Sequence, residues 1–361
     1  MIVERLKLVE ALKNAMPGIE TRNVILEGSD AFIFSDGFIH TYNDILSVSV
    51  PFPITNKAGD TVSGAIKAKE FYDLISKFKG DTLKIITKEK TWILKSENAT
   101  AELTLLENVL LEKVKHIISN DSKWTLIPKN FIDGISICKF SSNRSNLSGI
   151  FVQKNIMCST DELRINWINL SDEMKESFWI NDVAADEVMK LNRPTKYAVT
   201  KSWVSFRTKD GVIFSCKRLD EKKYPFSQIK NMVESHEKEK GDISNLLPKE
   251  LNDAINRAAS LSQNIETYET VTLTFSNDGI EIFSQRACGK YLENVKWEHP
   301  FKKDIKPISI SVDHSMIENG IKNGTMFYLK NISMKDDSVT TRLVFINTDG
   351  IQLVSTFAGE K

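Results

Sequence analysis

The feature that most constrains this chain is a recurrence. Amphipathic helical patterns begin near residues 2, 66, 128, 181, 248 and 312, a spacing of about sixty residues. They run Ile2 to Met16, Ile66 to Phe78, Pro128 to Cys138, Asn181 to Leu191, Pro248 to Leu261 and Val312 to Ile321, each with apolar residues three and four apart. The expected buried stripe of the first is Leu6, Val9, Leu12 and Met16; that of the second is Phe71, Leu74, Ile75 and Phe78. Pro128 and Pro248 are expected in first helical turns. Asn181 or Asp182, and Ser311 or Asp313, are expected caps.

Stretches of strand character fill the intervals: Leu83 to Ile86, Thr91 to Lys95, Trp203 to Arg207, Val212 to Lys217, Val271 to Phe275, Ile280 to Ser284, Leu343 to Asn347 and Ile351 to Thr356. Lys209-Asp210-Gly211, Asn277-Asp278-Gly279 and Thr348-Asp349-Gly350 separate pairs of them, and Asp-Gly there predicts hairpins because glycine accepts positive φ. One helix-plus-strands unit is thus used six times. Pairing neighbours predicts an α+β chain of three tandem domains, near 1–118, 119–238 and 239–361, with the polar run Ser235 to Gly241 as a linker.

The 48 basic and 48 acidic side chains cancel over 361 residues. No global basic excess points to nucleic acid, but only the charge of a local face matters for binding. Cys138, Cys158, Cys216 and Cys288 lack metal or redox spacing and are expected to be free thiols. Met1 to Met16 is amphipathic and unlike a signal peptide, and no apolar run reaches the roughly 18 residues of a membrane span. The expectation is a soluble cytoplasmic protein with no membrane contact.

Enzyme chemistry finds no foothold. Gly289-Lys290 lacks the upstream glycine of a phosphate-binding loop. His40, His116, His236, His299 and His314 are scattered and read as surface or structural histidines. No nucleophile, base and oxyanion donor assemble, and no metal or cofactor is implied.

Several segments, in order and at the right spacing, resemble the bacterial and phage beta-type DNA sliding clamps. Lys217-Arg218-Leu219-Asp220 through Tyr224-Pro225-Phe226 is similar to the stretch that closes that family's middle domain. Leu147-Ser148-Gly149-Ile150, then Cys158-Ser159-Thr160-Asp161-Glu162-Leu163-Arg164-Ile165, resembles its Leu-x-Gly and Ala-Thr-Asp-Gly-His-Arg-Leu. Gly64 to Lys77 and Asp81 to Glu102 resemble the second helix and following hairpin of its first domain; Phe283-Ser284-Gln285 to Gly289-Lys290 resembles the first hairpin of its third.

The resemblance implies a non-enzymatic processivity factor: a head-to-tail homodimeric ring, helices inside and sheets outside, around double-stranded DNA. It implies DNA polymerase and a clamp loader as partners, with ATP acting in the loader. Phosphate attraction without base readout would come from basic residues on the inner helices. The candidates are Arg5, Lys7, Lys13, Lys67, Lys69, Lys77, Lys79, Lys129, Lys139, Lys190, Arg193, Lys249, Arg257 and Lys322, with Arg22 and Arg144 in loops. Asp182, Asp186 and Glu187 in the fourth helix, and Asp313 and Glu318 in the sixth, break the uniformity.

The resemblance also implies a groove for short hydrophobic partner motifs, matching Leu147, Thr160, Leu163, Arg164, Ile165 and Met232. Two departures stand out: Glu162-Leu163 replaces the family's Gly-His, and Phe357 to Lys361 lacks its hydrophobic ending. The groove is therefore expected to be altered or rebuilt around Val354 and Phe357. Two alternatives stay open: a repeat-built viral structural or assembly protein with no DNA in its hole, and a two-domain trimeric clamp like proliferating cell nuclear antigen. The repeat pair Pro248 to Phe357 speaks against the second.

Overall fold

The computed structural model describes residues 1–20, 26–53, 62–106, 110–117, 123–139, 145–191, 193–238, 243–265, 268–299, 301, 304–333 and 339–358. Among them lie eight α-helices: α1 (Arg5–Ala15), α2 (Ala68–Lys77), α3 (Leu111–Ile117), α4 (Phe131–Cys138), α5 (Asp182–Lys190), α6 (Phe226–Lys238), α7 (Leu251–Ala259) and α8 (His314–Asn323). Six match the recurrent pattern in place; α3 and α6 have no counterpart in it. None is long and apolar enough to cross a membrane.

One pairing rule organises the strands. Each of the six recurrent helices is preceded by a short strand, and each half-repeat holds a three-stranded antiparallel meander. The lead-in strand joins the meander of the other half. Ile2–Glu4, before α1, pairs Thr82–Thr87 of the meander that follows α2. Gly64–Lys67, before α2, pairs Ala31–Ser35 of the meander that follows α1. The same exchange recurs for Thr125–Leu126, Phe178–Ile180, Ile243–Leu246 and Ile308–Asp313. Neither half completes its four-stranded layer alone, the usual condition of a structural repeat.

The chain divides into two compact units, Met1–Ile127 with Val183–Leu219, and Pro128–Asp182 with Asp220–Lys361. Each contains an eight-stranded sheet in which two four-stranded layers meet edge to edge. In the first unit the seam pairs Leu46–Pro51 with Ile213–Lys217, Val48 facing Phe214. In the second it pairs Arg164–Asn169 with Gly350–Ser355, Ile165 facing Leu353. Each unit also has a smaller sheet. The first ends on Ala99–Thr104; one edge of the second is Gly289–Val295.

Helix α1 buries Leu8, Ala11, Leu12 and Ala15. Of the expected stripe Leu12 is buried, but Leu6 is 63% exposed, and Leu8-Leu12-Ala15 is the buried line. Helix α2 buries Ala68, Phe71 and Ile75, and Phe71 lies against Phe34 and Trp92. Pro128 and Pro248 are not first-turn residues. Their carbonyls accept from Phe131 and Leu251, so each opens a turn three residues before its helix. Asp313 caps α8 by accepting from the Ser315 N–H at 2.9 Å. The Asp-Gly turns form, for two reasons. Gly211 and Gly279 have positive φ, whereas Gly350 is required because a Cβ there would lie 2.0 Å from the Trp167 carbonyl oxygen. Ser235 to Lys238 is helical, not linker, and 239–242 lie outside the described residues. The thiols of Cys138, Cys158 and Cys216 are buried, which pushes Cys158 up to about 12.

His40 sits in the sheet of the first unit, its Nδ1 2.8 Å from Ser49 Oγ across the strand pair, stacked on Phe38. Burial pushes its value down to about 4, against an ordinary 6.5. The stabilisation from keeping it neutral is therefore intact above pH 6.5 and is lost as pH falls toward 4. His40→Gln should remove part of that acid sensitivity, about 1–2 kcal/mol of the wild-type loss between roughly pH 7 and 5, read from urea unfolding midpoints.

Candidate partner groove and nucleic-acid face

Helix α6 forms one wall of a groove in the second unit. Aromatic stacking seats its start: Tyr224 lies parallel on Phe151 at 4.5 Å between centroids, and Phe226 lies on Trp167 at 5.6 Å. Ile229, Val233 and His236, one helical line, are buried beneath it. The Tyr328 hydroxyl donates to the His236 carbonyl at 2.8 Å and ties down the helix end. His236 Nδ1 lies 2.9 Å from the Met232 carbonyl oxygen. A carbonyl only accepts, so Nδ1 carries a proton and donates it.

The facing wall is a tight turn. The Thr160 hydroxyl donates to the Arg164 carbonyl at 2.8 Å, and Asp161 Oδ1 accepts from the Arg164 N–H at 2.8 Å. Arg164 returns its guanidinium to Asp161 Oδ2 at 2.9 and 2.6 Å, both side chains being almost fully buried. Removing one partner of such a pair strands a buried charge and costs several kcal/mol, on the order of 3–5. Glu162, where the resembling family has glycine, sits at φ 76. That left-handed region favours glycine, and Ser145 Oγ donates to the Glu162 carboxylate at 3.0 Å.

The two walls enclose about 250 Å³ lined by Leu147, Thr160, Glu162, Leu163, Ile165, Pro225, Gln228, Ile229, Met232, Arg342, Leu353 and Ser355. Five of the residues singled out from sequence come together here: Leu147, Thr160, Leu163, Ile165 and Met232. Three do not. Arg164 is spent on Asp161. Val354 points into the core, because strand residues alternate faces and Leu353 and Ser355 take the groove side. Phe357 leaves this sheet to pair with Ser311 in another. Where Val354 and Phe357 are expected, the residues that line this cavity are Leu353, Ser355 and Arg342. Arg342 has no sequence signal. It is half-buried, and burial holds its guanidinium below the ordinary arginine value.

The basic candidates divide by partner. Lys7 pairs with Glu4, Lys67 with Asp30, Lys190 with Glu187, Lys249 with Glu298, Arg257 with Glu293 and Lys322 with Glu318. The hydrogen bond from Arg257 holds the Glu293 carboxyl below its usual range. Arg5 spends its guanidinium on the carbonyls of Gly80 and Ser76, joining α1 to the end of α2. Lys13, Lys69, Lys77, Lys79, Lys129 and Arg193 are exposed and hold no carboxylate among the described residues. Lys139 is half-buried at the end of α4. Arg22 and Arg144 lie outside the described residues. Four of the uncommitted cations therefore belong to α1, α2 and the turn after α2, which pack together in the first unit. Among the described residues no group of three or more His, Cys, Asp or Glu side chains is placed to hold a metal ion.

No protein-family model and no curated protein matches the sequence. Solved structures do match the fold. The beta subunit of DNA polymerase from Streptococcus pyogenes superposes with a TM-score of 0.81 at 15% identity, covering 99% of each chain. The DNA polymerase sliding clamp from Bacillus subtilis gives 0.78 at 17% identity over 99% of each chain. The Helicobacter pylori beta clamp bound to a DNA ligase peptide gives 0.77 at 16% identity over 99% of this chain and all of that one. From end to end, this chain has the fold of the DNA polymerase III beta sliding clamps.

Proposed function

We propose that this chain is a DNA sliding clamp: a non-catalytic processivity factor that closes as a head-to-tail homodimer around duplex DNA and tethers a polymerase and other replication or repair proteins. The observation that carries the proposal is the likeness to beta clamps over 99% of the chain. In this reading residues 1–118, 119–238 and 239–361 are three domains, each a doubled half-repeat, and a separate ATP-driven loader opens the ring in the cytoplasm of a bacterial or phage-infected cell.

The seams support closure. In both eight-stranded sheets the last strand of one domain's first meander pairs with the last strand of the next domain's second meander. Applied once more, that rule joins Gly289–Val295 of one copy to Ala99–Thr104 of another. Both are sheet edges whose backbone groups invite a partner. Contacts of this heterologous kind close into rings when the rotation permits. The groove at α6 supports tethering, since the Helicobacter pylori clamp of the same fold is bound to a DNA ligase peptide. Its walls of Leu147, Leu163, Ile229 and Met232 suit the apolar anchors of a short peptide.

Size-exclusion chromatography with light scattering should give a dimer, and the purified protein, once loaded, should be retained on circular but not linear duplex DNA. A monomer, or equal loss from both DNA forms, would overturn the proposal. Leu292, 58% exposed on the open edge strand, tests the closure. Leu292→Asp should raise the dimer dissociation constant about tenfold or more with unchanged circular dichroism. Alanine at Lys13, Lys69, Lys77 and Lys79 should reduce the slope of log affinity against log salt by about one for each phosphate no longer neutralised. The same change at Lys7, Lys190, Lys249 and Lys322, which already hold carboxylates, should move it less.

A further inference from the structure

We propose that the first unit carries a second docking surface, beside α3, for a short acidic peptide with an apolar anchor. The α6 groove serves only as its geometrical template, so this surface stands whether or not that groove takes a peptide. The two eight-stranded sheets have the same strand order, and their seams are built alike. In the second unit Asp161 Oδ1 accepts from the Leu163 and Arg164 N–H groups at 3.3 and 2.8 Å, and the Ser355 N–H donates to the Leu163 carbonyl at 2.9 Å. In the first, Asn43 Oδ1 accepts from the Ile45 and Leu46 N–H groups at 3.3 and 2.8 Å, and the Lys217 N–H donates to the Ile45 carbonyl at 2.9 Å. Asp44, like Glu162, has positive φ, 69 against 76. Helix α3 takes the place of α6: Val114 and Ile117 pack with Ile33 and Tyr42 of the sheet, as Phe226 of α6 packs on Phe151 and Trp167.

The side chains at these equivalent places differ, and with them the chemistry. By register, Tyr42 stands where Thr160 does, Ile45 where Leu163 does, Trp203 where Arg342 does and Lys217 where Ser355 does. Ile45 is 50% exposed. The Tyr42 and Trp203 rings lie 6.0 Å apart, and Trp203 is only half-buried. Lys113 of α3 places its Nζ 6.0 Å from the centre of the Tyr42 ring. Lys113, Lys217 and Lys201, the last in the turn between Thr200 and Trp203, are exposed and hold no carboxylate among the described residues. The carboxylate of the turn, Asp44, already accepts from the Tyr42 hydroxyl at 2.9 Å. Glu112 projects from the side of α3 opposite its buried line. An exposed aliphatic beside an aromatic pair suits one apolar anchor, and cations around it favour carboxylates flanking that anchor. A nucleic-acid backbone would use the lysines and leave Ile45 uncovered, and Tyr42, buried against Trp203, offers no open ring face for a base.

The test uses the purified full-length protein without DNA. The probe is a labelled, capped Glu-Glu-Leu-Phe-Glu-Glu peptide, with Gln-Gln-Leu-Phe-Gln-Gln as its uncharged control. Hydrogen exchange should show added protection over residues 42–47 and 203–217 when the acidic peptide is present. By fluorescence anisotropy it should bind about tenfold tighter than the control at low salt, with the advantage shrinking as salt rises. Lys113→Glu combined with Lys217→Glu should weaken the acidic peptide about tenfold or more. Protection confined to residues 160–165 and 226–232 would put the peptide in the α6 groove and overturn the proposal, as would equal binding of the two peptides or no binding. A labelled oligothymidine that binds more tightly and protects residues 42–47 would assign the surface to single-stranded nucleic acid and overturn it as well. Hydrogen exchange is read in the unaltered protein, so a poorly folded variant does not remove the test.

Discussion

Antiparallel pairing at strand edges is the constraint on which this molecule depends. A four-stranded layer with one helix cannot satisfy its outer backbone groups or cover its apolar face alone. The chain answers twice over. Within each doubled unit the halves exchange a lead-in strand, and at each seam the last strand of one meander continues into the last strand of another. Each pairing satisfies a row of N–H and C=O groups and aligns two buried faces. Ala99–Thr104 and Gly289–Val295, the last strands of their meanders, carry the same requirement without a seam partner in the chain among the described residues.

The groove follows from one of those seams. Arg164–Asn169 and Gly350–Ser355 come side by side only because the seam forms. Their alternation then decides which residues face α6. Ile165, Leu353 and Ser355 face it; Val354 serves the core, and the Arg164 side chain closes on Asp161. The aromatic stack of Tyr224, Phe226, Phe151 and Trp167 sets the helix at the height where Gln228, Ile229 and Met232 complete the wall. The site is thus a product of packing among four stretches of chain, which explains why a resemblance finds only part of it.

How much is legible in advance varies with the range of the interaction responsible. The six recurrent helices and most hairpins are legible because helical period, strand alternation and Asp-Gly turns act over a few residues. The burial phase of α1 is not, since Leu6 and Leu8 differ only in what packs against them. Helix α6 escapes notice because its buried line of Ile229, Val233 and His236 includes a polar ring and runs into a charged stretch that resembles a linker. Five groove residues are found through the Leu147 to Ile165 segments and the position of Met232. Arg342 is not, since nothing near it in sequence marks which side of its strand meets the groove.

By itself, the sequence determined the fold class of the protein: six helix-plus-strand modules, their turns, and a balance of charge. Those properties are written in local periodicity. Only the tertiary structure decided which edges pair, which face of each strand is buried, which lysines are already held by carboxylates and which arginine faces an apolar groove without one among the described residues. These are decided by packing between segments far apart in the chain. Such packing depends on register and alternation, where a shift of one residue turns every side chain to the opposite face.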